Sequence, residues 1–132
     1  MAFKILNGKD VAKKIRTTLK YEIEKLKKKP KLVVILVGDN PSSVIYVKNK
    51  QKYANEVGME SELVKLSKDI SEEKLLKIIK KLNKDKKVNG ILVQLPLPKQ
   101  INEFNVINSI SPLKDVDGFT VENKGLLCVG KP

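Results

Sequence analysis

The sequence has no histidine, no tryptophan, a single cysteine and a single arginine among 132 residues. Each shortage removes a class of function. Without histidine a Ser-His-Asp triad cannot be assembled. With Cys128 as the only thiol, neither a conventional zinc site nor an internal disulfide framework is open to it. A lone cysteine fits a reducing, cytoplasmic compartment. No apolar run approaches the roughly 20 residues that span a bilayer, and "MAFKILNGKD" has no signal-peptide core, so no membrane partner is expected. No G-x-G-x-x-G follows a strand-like run, and "GDNPSS" lacks the P-loop lysine, so a cradle for nucleotide phosphates is missing as well.

What is present is lysine. The formal net charge is +12, and Arg16 is the one arginine. A basic chain raises the prospect of a polyanionic partner. Reading guanine edges or phosphates bidentately favours arginine, however, and binding single strands favours stacking aromatics, which make up only 5% here. A solvated lysine surface is therefore the first reading, attraction of an anionic small molecule the second, and nucleic acid the last.

The hydrophobic pattern is that of one soluble α/β domain with no internal repeat. "FKIL" (3–6) suits a short edge strand. "NGKDVAKKIRTTLKYEIEKLKKKP" reads as a helix that Pro30 ends, with Val11, Ile15, Leu19, Ile23 and Leu26 on one face. "KLVVILVG" is a strand buried on both sides. "DNPSS" supplies caps for a helix over "SSVIYVKNKQKYANEVGM", which Gly58 closes. "ESELVKL" is a strand. "SEEKLLKIIKKL" is a helix capped by Ser71 and stapled by Ile70 and Leu75. "VNGILVQLPLP" is a buried strand running into prolines, "INEFNVINSI" a short helix, "SPLKDVDGF" a loop and "VENKGLLCVGKP" a last helix or turn. The order β-α-β-α-β-α-β-α implies a three-layer fold, a mostly parallel sheet with helices on both faces, and ligands outside the carboxyl ends of the strands.

Three features at that edge could carry chemistry. Tyr46 and Lys50 stand one helical turn apart, beside a packed face of Val44, Val47, Ala54 and Val57. A lysine partly withdrawn from water is a usable acid or base near neutrality. Gln94 ends an apolar strand and needs a partner, while Pro96 and Pro98 stiffen the wall beyond it. Asp115 and Asp117 flank a turn at Gly118; either could shape the loop, or accept two N–H groups from a heterocycle. Taken singly, each also has a plain structural explanation.

Taken in order, "VGDNPSSVIYVKNKQKYANEVGM", "VNGILVQLPLP" and "SPLKDVDGF" closely resemble the bifunctional methylenetetrahydrofolate dehydrogenase/methenyltetrahydrofolate cyclohydrolase family. "ILNGKDVAKKI" and "ENKGLL" extend the resemblance over essentially the whole chain. It implies one-carbon folate chemistry, in the cytoplasm and linked to purine biosynthesis. The reactions are oxidation of 5,10-methylene- to 5,10-methenyl-tetrahydrofolate and hydrolysis of the latter to 10-formyl-tetrahydrofolate. Lys50 matches the family's catalytic lysine and Gln94 the glutamine that tunes it. Tyr46 matches the tyrosine that packs on the folate, and Asp117 the aspartate that anchors the pterin edge, with Asp115 shaping the turn. Ser43 matches a serine near the site, and Leu95 and Pro96 would line the pterin slot.

The family's members continue into a Rossmann domain that binds NADP or NAD, and the full-length enzyme is expected to be a homodimer. Residues 1–132 correspond to the tetrahydrofolate-binding catalytic domain alone, so neither a cofactor-binding residue nor a metal ligand is assigned and hydride transfer is not expected of this chain by itself. Because a family member's final segment tends to pack back on this domain, some apolar surface is expected to be uncovered. The competing readings are a folate-binding module without turnover, in which Lys50 is dispensable, and a lysine-rich nucleic-acid binder.

Overall fold

A computed structural model describes residues 7–131. The strand expected over 3–6 lies outside them. Within them the chain runs α1 (Gly8–Glu24), β1 (Lys31–Val37), α2 (Pro41–Glu56), β2 (Glu60–Leu66), α3 (Glu72–Lys84), β3 (Gly90–Val93), α4 (Glu103–Ser109), a single 3-10 turn (Pro112–Lys114) and α5 (Val121–Cys128). The three strands form a parallel sheet in the order β2-β1-β3, with Lys31 opposite Glu60 and Leu32 opposite Gly90.

Alternation along β1 divides the core in two. Val33, Ile35 and Val37 face Leu75 and Ile79 of α3 and Val106 of α4, while Val34 and Leu36 face Val47 of α2. Helices therefore cover both faces, as the continuous apolar run of β1 requires. Local signals set the boundaries. The Asn40 side chain accepts from the N–H groups of Ser42 and Ser43, with Pro41 in the first helical position. Gly58, at φ +88°, closes α2 in the left-handed conformation that glycine adopts without strain. Ser71 caps α3, and Ile70 and Leu75 pack into one cluster.

Helix α1 departs from expectation twice. It stops at Glu24, well short of Pro30, and leaves Leu26 outside it. The chain needs residues 25–30 to reverse direction into β1, and the residue before a proline is itself steered toward extended backbone. Only Ile23 of its apolar stripe is buried; Val11, Ile15, Leu19 and Leu26 remain exposed. Spacing fixes which side of a helix is apolar, but not whether anything in the domain covers it.

Candidate active site

The cleft that gathers the sequence candidates lies beyond the carboxyl end of β3. It has a volume of about 340 Å³ and is lined by Tyr46, Lys50, Val93, Gln94, Leu95, Asp117 and Phe119. A smaller cleft of about 260 Å³ sits at the ends of β1 and β2, but no aromatic lines it and no candidate residue enters it.

Each wall has a local cause. Helix α2 packs through Val47 and Ala54, with Val57 buried just after its end, and this leaves Tyr46 and Lys50 at the cleft. The strand ladder continues one residue past β3, since the Gln94 N–H donates to the Ile35 carbonyl at 2.9 Å. That pairing sends the Gln94 side chain toward α2, where Lys50 Nζ donates to Gln94 Oε1 at 3.3 Å. Gln94 Nε2 donates to the Leu95 carbonyl at 2.8 Å, which fixes the amide with its oxygen toward the lysine. Beyond the prolines, the Leu97 N–H donates to the Glu103 carboxylate at 3.1 Å and ties the wall to α4. The Leu95–Pro96 peptide bond is cis.

The opposite wall is the loop after the 3-10 turn. Asp115 pairs with Ile91 as a parallel bridge, and its Oδ2 accepts from the Thr120 N–H at 2.9 Å and from Asn123 Nδ2 at 3.0 Å. Partial burial disfavours the charged form of Asp115, but these hydrogen bonds outweigh it and hold the carboxyl below the usual carboxylate range. Asp115 is therefore occupied within the loop, and Asp117, across the turn, is the exposed carboxylate at the cleft.

The structure thus brings together Tyr46, Lys50, Gln94, Leu95 and Asp117. Ser43, expected near the site, is buried behind its wall, where its hydroxyl donates to the Leu95 carbonyl at 3.4 Å. Pro96 is exposed and is not among the lining residues. Phe119 was missed. Its ring lines the cleft with Lys124 Nζ 5.3 Å from its centroid, and the one signal was an aromatic directly after a glycine turn. Among the described residues no group of three acidic, cysteine or histidine side chains could hold a metal.

The described turns do not carry the glycine-rich form of a dinucleotide fingerprint. The turn into α2 is capped by Asn40 and Pro41 rather than opened by glycines, and the segment after β3 is a proline wall. What the cleft can do is clasp a flat heterocycle between aromatic and apolar walls, meet an N–H edge with a carboxylate, and present an amine held by a neutral amide.

Comparison with known proteins points the same way. The sequence model of the tetrahydrofolate dehydrogenase/cyclohydrolase catalytic domain matches residues 6–117. The bifunctional protein FolD of Anoxybacillus flavithermus is 52% identical over 99% of this chain and 47% of its own length. That of Aquifex aeolicus is 54% identical over 93% and 44%. The crystal structure of the bifunctional enzyme FolD from Campylobacter jejuni superposes with a TM-score of 0.95 at 45% identity, covering 98% of this chain and 47% of that one. The Trypanosoma brucei enzyme, solved with NADP cofactor and an inhibitor, gives 0.92 at 30% identity, covering 98% and 45%. The chain spans about half the length of the relatives it matches.

Proposed function

Because the chain belongs to the tetrahydrofolate dehydrogenase/cyclohydrolase family, we propose that residues 1–132 form the tetrahydrofolate-binding catalytic unit of a one-carbon folate enzyme. The whole enzyme would oxidise 5,10-methylene-tetrahydrofolate and hydrolyse the 5,10-methenyl product to the 10-formyl form. NADP or NAD, bound by a domain outside these residues, would accept the hydride from the methylene carbon, in a cytoplasmic homodimer. The reading rests on one juxtaposition: an amine, a neutral amide, an aromatic face and a free carboxylate share one cleft.

In this reading Tyr46 offers an exposed ring for the folate's aromatic portion to stack on, and Phe119 stands on the opposite wall. Asp117 accepts from the N–H edge of the pterin. Methenyl hydrolysis then needs two proton movements. Water adds to the amidinium carbon and loses a proton to Lys50. The carbon–N5 bond opens as Lys50 returns a proton to N5, and the remaining hydroxyl proton leaves as the formyl carbonyl forms. One proton stays on N5 and one is released. Gln94 holds the amine through Oε1, a neutral acceptor that fixes its position beside the substrate. Residues that serve hydride transfer here do so by orienting the folate.

The decisive experiment follows the decay of 5,10-methenyl-tetrahydrofolate absorbance near neutral pH, in a weakly catalytic buffer, with this chain and with Lys50→Met. Acceleration that disappears in the variant supports the reading. Equal rates in both, no faster than buffer, would leave the chain at most a folate-binding half.

A further inference from the structure

At the end of the sheet remote from the cleft, two lysine-rich turns meet. "KLKKKPK" joins α1 to β1 and "KDKKV" joins α3 to β3, and parallel pairing of Leu32 with Gly90 sets them side by side. Asn89 locks them together: its side-chain oxygen accepts from the Lys31 N–H at 3.0 Å, and its own N–H donates to the Lys31 carbonyl at 2.9 Å. Between the turns runs a groove of about 640 Å³ whose lining includes Lys27, Lys28, Lys29, Lys86 and Lys87, with Glu60 its one acid.

The plain explanation is that cations gather where helices end. Both α1 and α3 terminate here, and a helix carboxyl end attracts positive charge. At the end of α3 that role is already filled. Lys114 Nζ donates to the Leu82 and Asp85 carbonyls at 3.0 and 2.8 Å and so caps α3. Lys25, the C-cap of α1, holds its amine 3.8 Å from the centre of the Tyr21 ring. The ion pairs among the described residues involve none of the five groove lysines. Set against Glu60, Asp85 and two helix ends of roughly half a charge each, five lysines leave about two positive charges unbalanced around a concave surface.

We propose that this groove binds a linear phosphate polyanion of the inorganic polyphosphate type. Ammonium groups bind phosphate as point charges, without the fixed bidentate geometry that an arginine fork would bring to phosphate or carboxylate alike, and no arginine lines the groove. No aromatic lines it either, so nucleic-acid bases find no stacking surface there. A bare phosphate chain needs neither. The groove lies across the sheet from the cleft, so its occupant does not compete for the folate site, and the proposal is independent of the assigned activity.

The test is calorimetric titration of the 132-residue chain with short-chain inorganic polyphosphate at about 0.15 M salt. Replacing all five groove lysines by glutamine should weaken binding roughly a hundredfold. Glutamine at Lys13, Lys14, Lys20, Lys48 and Lys52 removes the same charge from exposed helical positions and should weaken it only a few-fold. Circular dichroism melts check that both variants fold. Equal losses would reduce the effect to net charge and overturn the proposal, as would no binding by the unaltered chain. Tighter binding of single-stranded RNA that depends on the same five lysines would overturn it too, in favour of a nucleic-acid surface.

Discussion

Lys50 and Gln94, 44 positions apart in sequence, meet at 3.3 Å with the lysine as donor and the amide oxygen as acceptor. The direction is set by the amide, whose oxygen can only accept and whose nitrogen is already committed to the Leu95 carbonyl. A double-mutant cycle tests whether the pair works as a unit. Lys50→Met should lower methenyl hydrolysis by about 10²- to 10⁴-fold, the range of general acid–base assistance. Gln94→Leu should cost roughly tenfold or more, and the double variant should be no slower than Lys50→Met alone. Additive losses would show that Gln94 acts on something other than the lysine.

Tyr46 is 61% exposed, a large ring that adds little to the core. Tyr46→Ala should leave the melting temperature within about a degree of the parent while weakening folate binding some five- to hundredfold, the span expected of a lost stacking contact. Tyr46→Phe keeps the ring and should keep most of the affinity. An equal loss in both would shift the role to the hydroxyl.

What could be read before the structure follows a physical division. β1 was legible because seven apolar or amphipathic residues in a row have few other uses, and α2 and α3 because their caps and glycine stops are local chemistry. The Lys50–Gln94–Asp117 cluster was legible only through family resemblance, since spacing alone cannot bring a helix, a strand end and a loop to one point. Phe119 escaped because an aromatic after a turn serves equally well in a core or at a surface. Some uncovered apolar surface was expected, but not its place at Val11, Ile15 and Leu19, because periodicity is a property of one helix and burial belongs to the assembly.

Gly90 carries a constraint that reaches the cleft. A Cβ there would lie 2.5 Å from Val116 Cγ1 and 3.3 Å from Leu32 Cδ1, and Val116 belongs to the loop that presents Asp117. Val116 is branched at Cβ and cannot swing away cheaply, so the loop backbone must move. Gly90→Ala should destabilise the fold by about 1–3 kcal/mol. It should also weaken folate binding under conditions where the variant is fully folded. Unchanged affinity would mean that the loop positions Asp117 independently of the strand beneath it.

Two carboxylates make the fold acid-sensitive. The Asn102 N–H, at 2.7 Å, and Asn105 Nδ2, at 2.9 Å, donate to Glu72 and hold it below the usual carboxylate range. Asp115 is held low by the Thr120 and Asn123 donors despite its partial burial. Both groups bind a proton less readily folded than unfolded, so the stability they add is complete above the ordinary carboxylate values and is lost as pH falls through the folded ones. The melting temperature should be flat from about pH 7 to 5 and fall below about pH 4. In Asp115→Asn the charge-assisted bonds are gone and two amide groups compete for one site. That variant should melt lower than the parent at pH 7, with the gap narrowing steadily toward pH 3. A gap that stays constant across that range would mean that Asp115 stabilises the loop by shape rather than by charge.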